Sequence, residues 1–555
     1  MKLKYIVGVA SLLMATSCND GFLERSPQNI NDKTFWSSVS DLETYANAFY
    51  SMLPGGVTSL SDGSSDNQVP NNPVTFIWNQ YSVPAEGGGW SKGDWSTIRQ
   101  VNYFMTHYEE VTGTAEDINK YVGEIRFFRA LAYMDKVSTF GDVPWLDKNL
   151  DVDSEELYGA KMKRNEVAKK IIEDLDFAIR WLPENPVTGR IGKDVARHIK
   201  ARFCLQEGTY YKYHTSLGFT GDVNGLLEQA AAAAQDIMNA GKYEIYSTGK
   251  PESDYYDMFV LEDKSSLKEA ILWVNYEANK RQHGMSRTLA EANMGFSKDF
   301  ADSYLCKDGK PISLSAEYQG DENMRKESTN RDPRFKQTIL TNDFPRNVSY
   351  DGDSTFVEEE SEFISQYCYT GYKSIKYFIP TAKAFEANSN TYDGIAYRYA
   401  ETLLIYAEAK AELGSITQVD LDKTVNVLRD RVGMPHLTMS VGFRDPNWPK
   451  WGYELSPLLQ EIRRERRIEL IGEGFRWGDL KRWKAGQLLD NVMTYVGKKT
   501  DGVHYAIVYP NYTNDDYQYV EGKSRKWLDK LYLYPLPTGE LQRNELLLPQ
   551  NPGWE

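Results

Sequence analysis

Seven segments of this chain repeat apolar side chains every three or four residues, and a helical frame is the simplest way to bury that pattern. Residues 123–140 place Ile125, Phe128, Leu131 and Ala132 on one face, with Phe127 and Met134 widening the stripe. Gly141 stops this segment and Pro144 forbids its continuation. Residues 165–181 (Val167, Ile171, Leu175, Ala178, Ile179) and 194–211 (Val195, Ile199, Phe203) follow the same rule. Residues 226–240 carry the small side chains Ala230 to Ala234, which let another helix approach closely. Later come 396–413 (Tyr399, Leu403, Tyr406, Ala407), then 421–432 and 457–471. Paired helices on short turns predict a mainly α chain with tetratricopeptide-like stacking. A strict period of about 34 residues is absent, so the repeats are degenerate.

Between residues 270 and 397 the texture changes. AILWVNY (270–276) has the β-branched and aromatic content of a strand. The polar, Gly-punctuated stretches SLSDGSSDNQ (59–68) and NDFPRNVSYDGDS (342–354) read as long loops. Loops of that size in a packed chain are usually functional or disordered. The expectation is therefore a helical frame and an irregular, loop-rich half containing short strands, with recognition carried by the loops.

The N-terminal segment is read as a processing signal. Lys2 and Lys4 precede the apolar run from Ile6 to Ala15, and Cys18 follows Thr16 and Ser17. That order predicts a lipoprotein signal over 1–17, an acylated Cys18 and a tether over 18–40. Each buried acyl methylene adds about 0.8 kcal/mol of membrane attachment. No second apolar stretch reaches bilayer length. The predicted body divides into 41–260, the helical region, and 261–555, packed into the same globule.

The rest of the composition mostly excludes. Net charge is −15, which disfavours nucleic acid as a partner. Cys204, Cys306 and Cys368 are an odd, widely spaced set that makes no disulfide framework. The six histidines fall at no metal-ligand spacing, and no P-loop, GxSxG or HExxH pattern is present. Hence no metal, cofactor or catalytic group is assigned. The chain holds 37 Tyr and 13 Trp against 22 Phe, an excess of rings that pair an apolar face with a polar edge.

Four stretches in order resemble the SusD/RagB family of outer-membrane nutrient-binding lipoproteins. They are CNDGFLERSP (18–27), GEIRFFRALAYMDKVSTFGDVPW (123–145), IRRERRIELIGEGFRWGDLKRW (462–483), and LYLYPLPTGE (531–540) with the terminal LPQNPGW (548–554). RYAETLLIYAEAKAELG (398–414) adds a weaker match. The family usually carries a bulky residue at the position of Gly472 and often an aromatic at Gly478. The resemblance implies a tetratricopeptide-like superhelix, a lipid anchor on the cell exterior and a shallow, aromatic-lined glycan site. It also implies a SusC-like TonB-dependent transporter as partner and no enzymatic activity. Capture of peptides, or hydrolysis of surface polysaccharide, would be the alternatives.

Two loops are the predicted ligand contacts. TFIWNQYSVPAEGGGW (75–90) offers Trp78, Asn79, Tyr81 and Trp90, and NYEANKRQHGMSR (275–287) offers Tyr276, Arg281, His283 and Arg287. Flat rings cover the C–H faces of sugars while amide, guanidinium and imidazole groups bond the hydroxyl rim. SQYCYTGYKSIKYF (365–378) ranks third, because a sheet face would explain its tyrosines equally well. In the arginine-rich segment, Arg466 and Glu469 fall in the apolar stripe at i, i+3 spacing. They are predicted to form a structural ion pair rather than a ligand site.

Overall fold

Thr114 opens the longest helix. Its hydroxyl accepts from the backbone N–H of Asp117 at 3.1 Å, so the helix begins eight residues before the apolar rhythm becomes visible. The computed structural model describes residues 35–72, 74–218, 221–500, 517–519 and 525–555. Cys18, the expected signal and most of the expected tether lie outside the described residues.

The frame is α1 (Val39–Asn47), α2 (Ser96–His107), α3 (Ala115–Phe140), α4 (Arg164–Trp181), α5 (Lys193–Tyr213), α6 (Val223–Asn239), α7 (Tyr399–Glu412), α8 (Pro457–Glu469) and α9 (Arg476–Arg482). Successive members pack as pairs: α3 on α4, α4 on α5, α5 on α6, then α6 on α7 and α7 on α8. The mainly α, tetratricopeptide-like expectation holds. Gly141 ends α3 with φ of 79°, a backbone state that a side chain disfavours.

Two expected helices differ. Residues 394–398 are a strand, because Tyr397 and its neighbours pair with residues 270–274, so α7 starts only at Tyr399. The segment 421–432 splits into the short helices Gln418–Lys423 and Val425–Arg431, because Thr424, at φ −125° and ψ −87°, breaks the helical geometry.

Among the described residues, eight short strands form four two-stranded antiparallel ladders. These are β1 (Gln68–Pro70) with β3 (Met294–Phe296) and β2 (Ala270–Val274) with β6 (Gly394–Arg398). The others are β4 (Asn347–Val348) with β5 (Ser354–Thr355) and β7 (Val496–Lys499) with β8 (Tyr517–Tyr519). The largest apolar core lies among α1 to α5, and Leu272, Tyr397, Leu536 and Leu547 from the later half complete it. The irregular half has its own core of rings, including Tyr255, Phe259, Phe300, Tyr304 and Tyr372.

The polar stretch 59–68 overturns its reading as a displayed loop. Ser59, Asp62, Ser65, Asp66, Asn67 and Gln68 are all buried. Asp62 accepts from the backbone N–H groups of Gly472 (2.9 Å) and Gly474 (3.1 Å), and Asp66 clamps Arg476 at 2.7 Å. The small polar residues serve because the segment runs against backbone N–H and guanidinium groups, where every buried polar atom needs a partner. Gly472 sits against it with φ of 75°, and a Cβ there would lie 2.6 Å from the Ser59 carbonyl oxygen. Gly472→Ala is therefore expected to lose about 2–4 kcal/mol from left-handed strain plus overpacking, read as a shift in the urea midpoint. At Gly478, the other departure from the family pattern, nothing lies within 4 Å, so the missing ring leaves no local conflict.

The three described cysteines are buried, and burial pushes the Cys204 thiol up to about 12. A thiol reagent is expected to leave all three unmodified in the folded chain and to label them after unfolding.

Candidate functional site

Three chain segments meet at the free end of the β1–β3 ladder. Pro70 pairs with Met294 in register. One residue on, the Asn71 N–H donates to the Asn293 carbonyl at 2.8 Å, and the Asn71 side-chain amide donates to the Gln366 carbonyl at 2.6 Å. The Met294 N–H donates to the Tyr367 carbonyl at 3.3 Å. Backbone hydrogen bonds thus tie the loop starting at Asn71, the turn before β3 and the 365–369 segment into one surface. Asn79 and Asn293 occupy left-handed conformations, φ 54° and 51°, which asparagine tolerates better than most residues.

What these segments show to solvent is amphipathic, rings beside side-chain amides. Tyr367 is 36% exposed and Tyr369 is half-buried against the core beneath. Asn72, Asn293 and Gln366, on the three joined segments, stand exposed. Each amide side chain offers both donors and acceptors, the complement of a sugar hydroxyl, and a phenol ring offers a face and a polar tip. Arg287 lies on the short helix Met285–Ala290, which leads into this turn, and its guanidinium is 3.6 Å from Glu291.

The predicted ligand residues are not assembled into one place. Trp78 and Trp90 are each only 8% exposed and serve different cores. Trp78 meets Tyr495 edge-on at 5.4 Å under the Arg525 guanidinium, and Trp90 packs edge-on against Phe140 at 4.8 Å. Tyr81 is half-buried with its ring against Phe76 and Tyr534. Large rings remove so much apolar area from water that a long loop uses them as its own anchors. Of the four predicted residues of the first loop, only Asn79 is exposed.

In the second loop Tyr276, Arg281 and His283 do come together, with Arg281 exposed and the two rings half-buried. The Tyr276 hydroxyl donates to the Gly55 carbonyl at 2.9 Å, while the Arg281 guanidinium lies 4.8 Å from the centre of its ring. His283 Nε2–H donates to the Tyr392 carbonyl at 3.0 Å, and its Nδ1 accepts from the Met285 N–H at 3.3 Å. Burial, helped by the Lys264 charge, lowers the imidazole pKa against the Tyr392 hydrogen bond, which favours the charged form. Both nitrogens are occupied by backbone, so His283 has nothing left for a ligand. The third-ranked segment supplies the exposed rings instead. Its tyrosines divide between surface (Tyr367, Tyr369) and core (Tyr372, Tyr377), with no regular sheet face.

Residues 262–554 match the SusD family model. The chain belongs to the SusD family. A SusD-like protein P2 of Formosa agariphila is 25% identical over the full length of both chains. The crystal structure of a SusD-like protein from Bacteroides fragilis superposes with a TM-score of 0.72 at 24% identity, covering 94% of this chain and 98% of that one. A second B. fragilis structure, described as a SusD-like carbohydrate-binding protein, gives 0.69 at 23% identity, covering 93% and 100%. Among the described residues no helix is long and apolar enough to cross a membrane, and no cluster of His, Cys, Asp and Glu is placed to hold a metal.

The arginine-rich motif that this chain shares with the SusD family is a structural hub, though not through the expected pair. Arg466 and Glu469 are both buried but point to different partners. Arg466 reaches forward to Asp479 on α9 at 2.9 Å. Glu469 instead receives Arg431 at 2.5 Å, Arg398 at 2.8 Å and Arg334 at 3.0 Å. A single i, i+3 contact loses to these because tertiary neighbours approach both charges from outside the helix, with better geometry and more hydrogen bonds. Every residue from Leu459 to Glu469 is buried, so most of α8 is enclosed by other elements.

Proposed function

We propose that this SusD-family chain captures oligo- or polysaccharide at the cell exterior and delivers it to a SusC-like TonB-dependent outer-membrane transporter, by binding alone. The lipid on Cys18 would hold it to the outer membrane. One observation carries the reading: a backbone-tied surface on which Tyr367 and Tyr369 stand with the side-chain amides of Asn72, Asn293 and Gln366. Such a surface suits a ligand with apolar ring faces and hydroxyl edges. The family membership and the carbohydrate-binding description of one structural neighbour support the same class. The net charge of −15 favours neutral over polyanionic glycans.

The ligand-binding role passes from the expected indoles to Tyr367, Tyr369 and Asn293, with Arg287 at the margin. The test is a glycan array followed by calorimetry on the mature chain. Neutral glycans should bind without generating new reducing ends. Binding of a peptide library in place of glycans, or release of reducing ends, would overturn the reading. Gentle extraction from the native membrane should recover the chain with a TonB-dependent barrel, and recovery without one would remove the partner.

A further inference from the structure

A separate polar cleft of about 920 Å³ opens beside α8, between the 445–451 loop, the short helix Lys298–Ser303 and the 487–493 turn. That volume is of the size of small-molecule sites. Guanidinium–carboxylate pairs form part of its lining: Arg464 with Asp445 at 2.9 Å, Arg467 with Asp299 at 2.8 Å and Arg476 with Asp66 at 2.7 Å. Five aspartates in the lining are matched by four arginines and one lysine.

Three donors there are left over. Arg467 uses Nε and Nη2 on Asn67, Asp66 and Asp299, and Arg476 uses Nε and Nη2 on Asp66. Among the described residues neither Nη1 group has a partner, although the two side chains are more than nine-tenths buried. The half-buried Trp448 lines the same cleft, and its indole N–H is also unpartnered. A buried indole N–H without an acceptor is costly to keep, and the two Nη1 groups, which keep contact with solvent in the cleft, are free to donate to a ligand.

We infer that this cleft is a second glycan site, distinct from the tyrosine surface, that takes a short neutral oligosaccharide. The inference rests on the glycan-capture reading above. Paired guanidinium groups have little charge to spend on a sulfate or carboxylate, while free N–H groups beside carboxylate oxygens match a hydroxyl that accepts and donates. Trp448 supplies the ring surface for a sugar face. The two sites are linked through one short segment: Met493 lines the cleft, and Tyr495 packs on Trp78 beneath the tyrosine surface.

The mature chain labelled with 5-fluorotryptophan provides the test, with the Trp448 resonance identified by its loss in Trp448→Phe. The probes are maltohexaose, cellohexaose, laminarihexaose, xylohexaose and mannohexaose, with trigalacturonate as the acidic comparison. At least one neutral probe should move the Trp448 resonance, and the dissociation constant read from that shift should stay within about twofold when Tyr367 and Tyr369 are both replaced by alanine. The second site is overturned if the resonance moves only with both tyrosines intact, or only with trigalacturonate. It is equally overturned if neutral probes bind by calorimetry while Trp448 stays unmoved, which would leave the tyrosine surface standing. Failure of every probe to bind anywhere would sink both readings.

Discussion

Glu469→Ala is expected to be among the most damaging single changes in the described fold, at about 3–5 kcal/mol. The carboxylate is fully buried and receives Arg334, Arg398 and Arg431, so its removal leaves three guanidinium groups short of a counter-charge. Burial alone would raise its pKa, but Arg431, Arg398 and Arg334 outweigh burial and hold the carboxyl well below the usual range. The sign of the pH dependence follows. A pKa depressed in the folded state gives stability that is fully present above the unfolded value, about 4.3 for glutamate. It fades as the medium is acidified below that value and is gone once the folded-state carboxyl is protonated. Urea midpoints of the parent should therefore fall below about pH 4, and Glu469→Ala should flatten that fall. Asp302 runs the opposite way, since burial lifts it to about 6 despite the nearby Lys298. Its protonation between neutral pH and about pH 5 should relieve the fold slightly. An exposed pair such as Lys148–Glu156 is the control, and Glu156→Ala should leave the midpoint unmoved.

The frame was legible in the sequence because a helix that buries one stripe writes a period of three to four residues, and α3 to α6 each carry it. The starts were less legible: the Thr114 cap precedes a polar first turn that contributes nothing to apolar rhythm. Residues 394–398 read as helix because Tyr397 and Tyr399 satisfy either period, and only the distant partner β2 decides. The polar stretch 59–68 was illegible for a different reason. Its burial depends on guanidinium groups some four hundred positions away, and composition cannot register that. The same non-locality misdirected the site. Trp78 and Trp90 have the chemistry of a sugar platform, but Tyr495 and Phe140 claim their faces. For Tyr367 and Tyr369 the signal was present in the sequence, in two tyrosines two positions apart in a segment with neither regular helical nor strand rhythm.

Replacing Tyr367 and Tyr369 together with alanine is expected to weaken glycan binding about tenfold to a hundredfold, roughly 1.4–3 kcal/mol, with the urea midpoint lowered only by the packing that the half-buried Tyr369 ring loses, as Tyr369→Ala alone measures. The pairing of these two outcomes carries the argument. Tyr367 is exposed, and its backbone carbonyl, rather than its ring, ties it to Met294, so truncation of the side chain leaves the three-segment junction intact. Trp78→Ala should give the reverse result. Trp78 is buried against Tyr495 and Arg525, so its loss opens a cavity costing about 3–5 kcal/mol and weakens binding only through the loosened loop. Asn293→Asp offers a finer measure. It keeps the left-handed turn that asparagine and aspartate both tolerate, but exchanges an amide donor for a negative charge facing the hydroxyl rim. Calorimetry on these variants, each checked by urea titration, separates ring contact from scaffold. A double tyrosine variant that binds as tightly as the parent would place the sugar elsewhere on the chain.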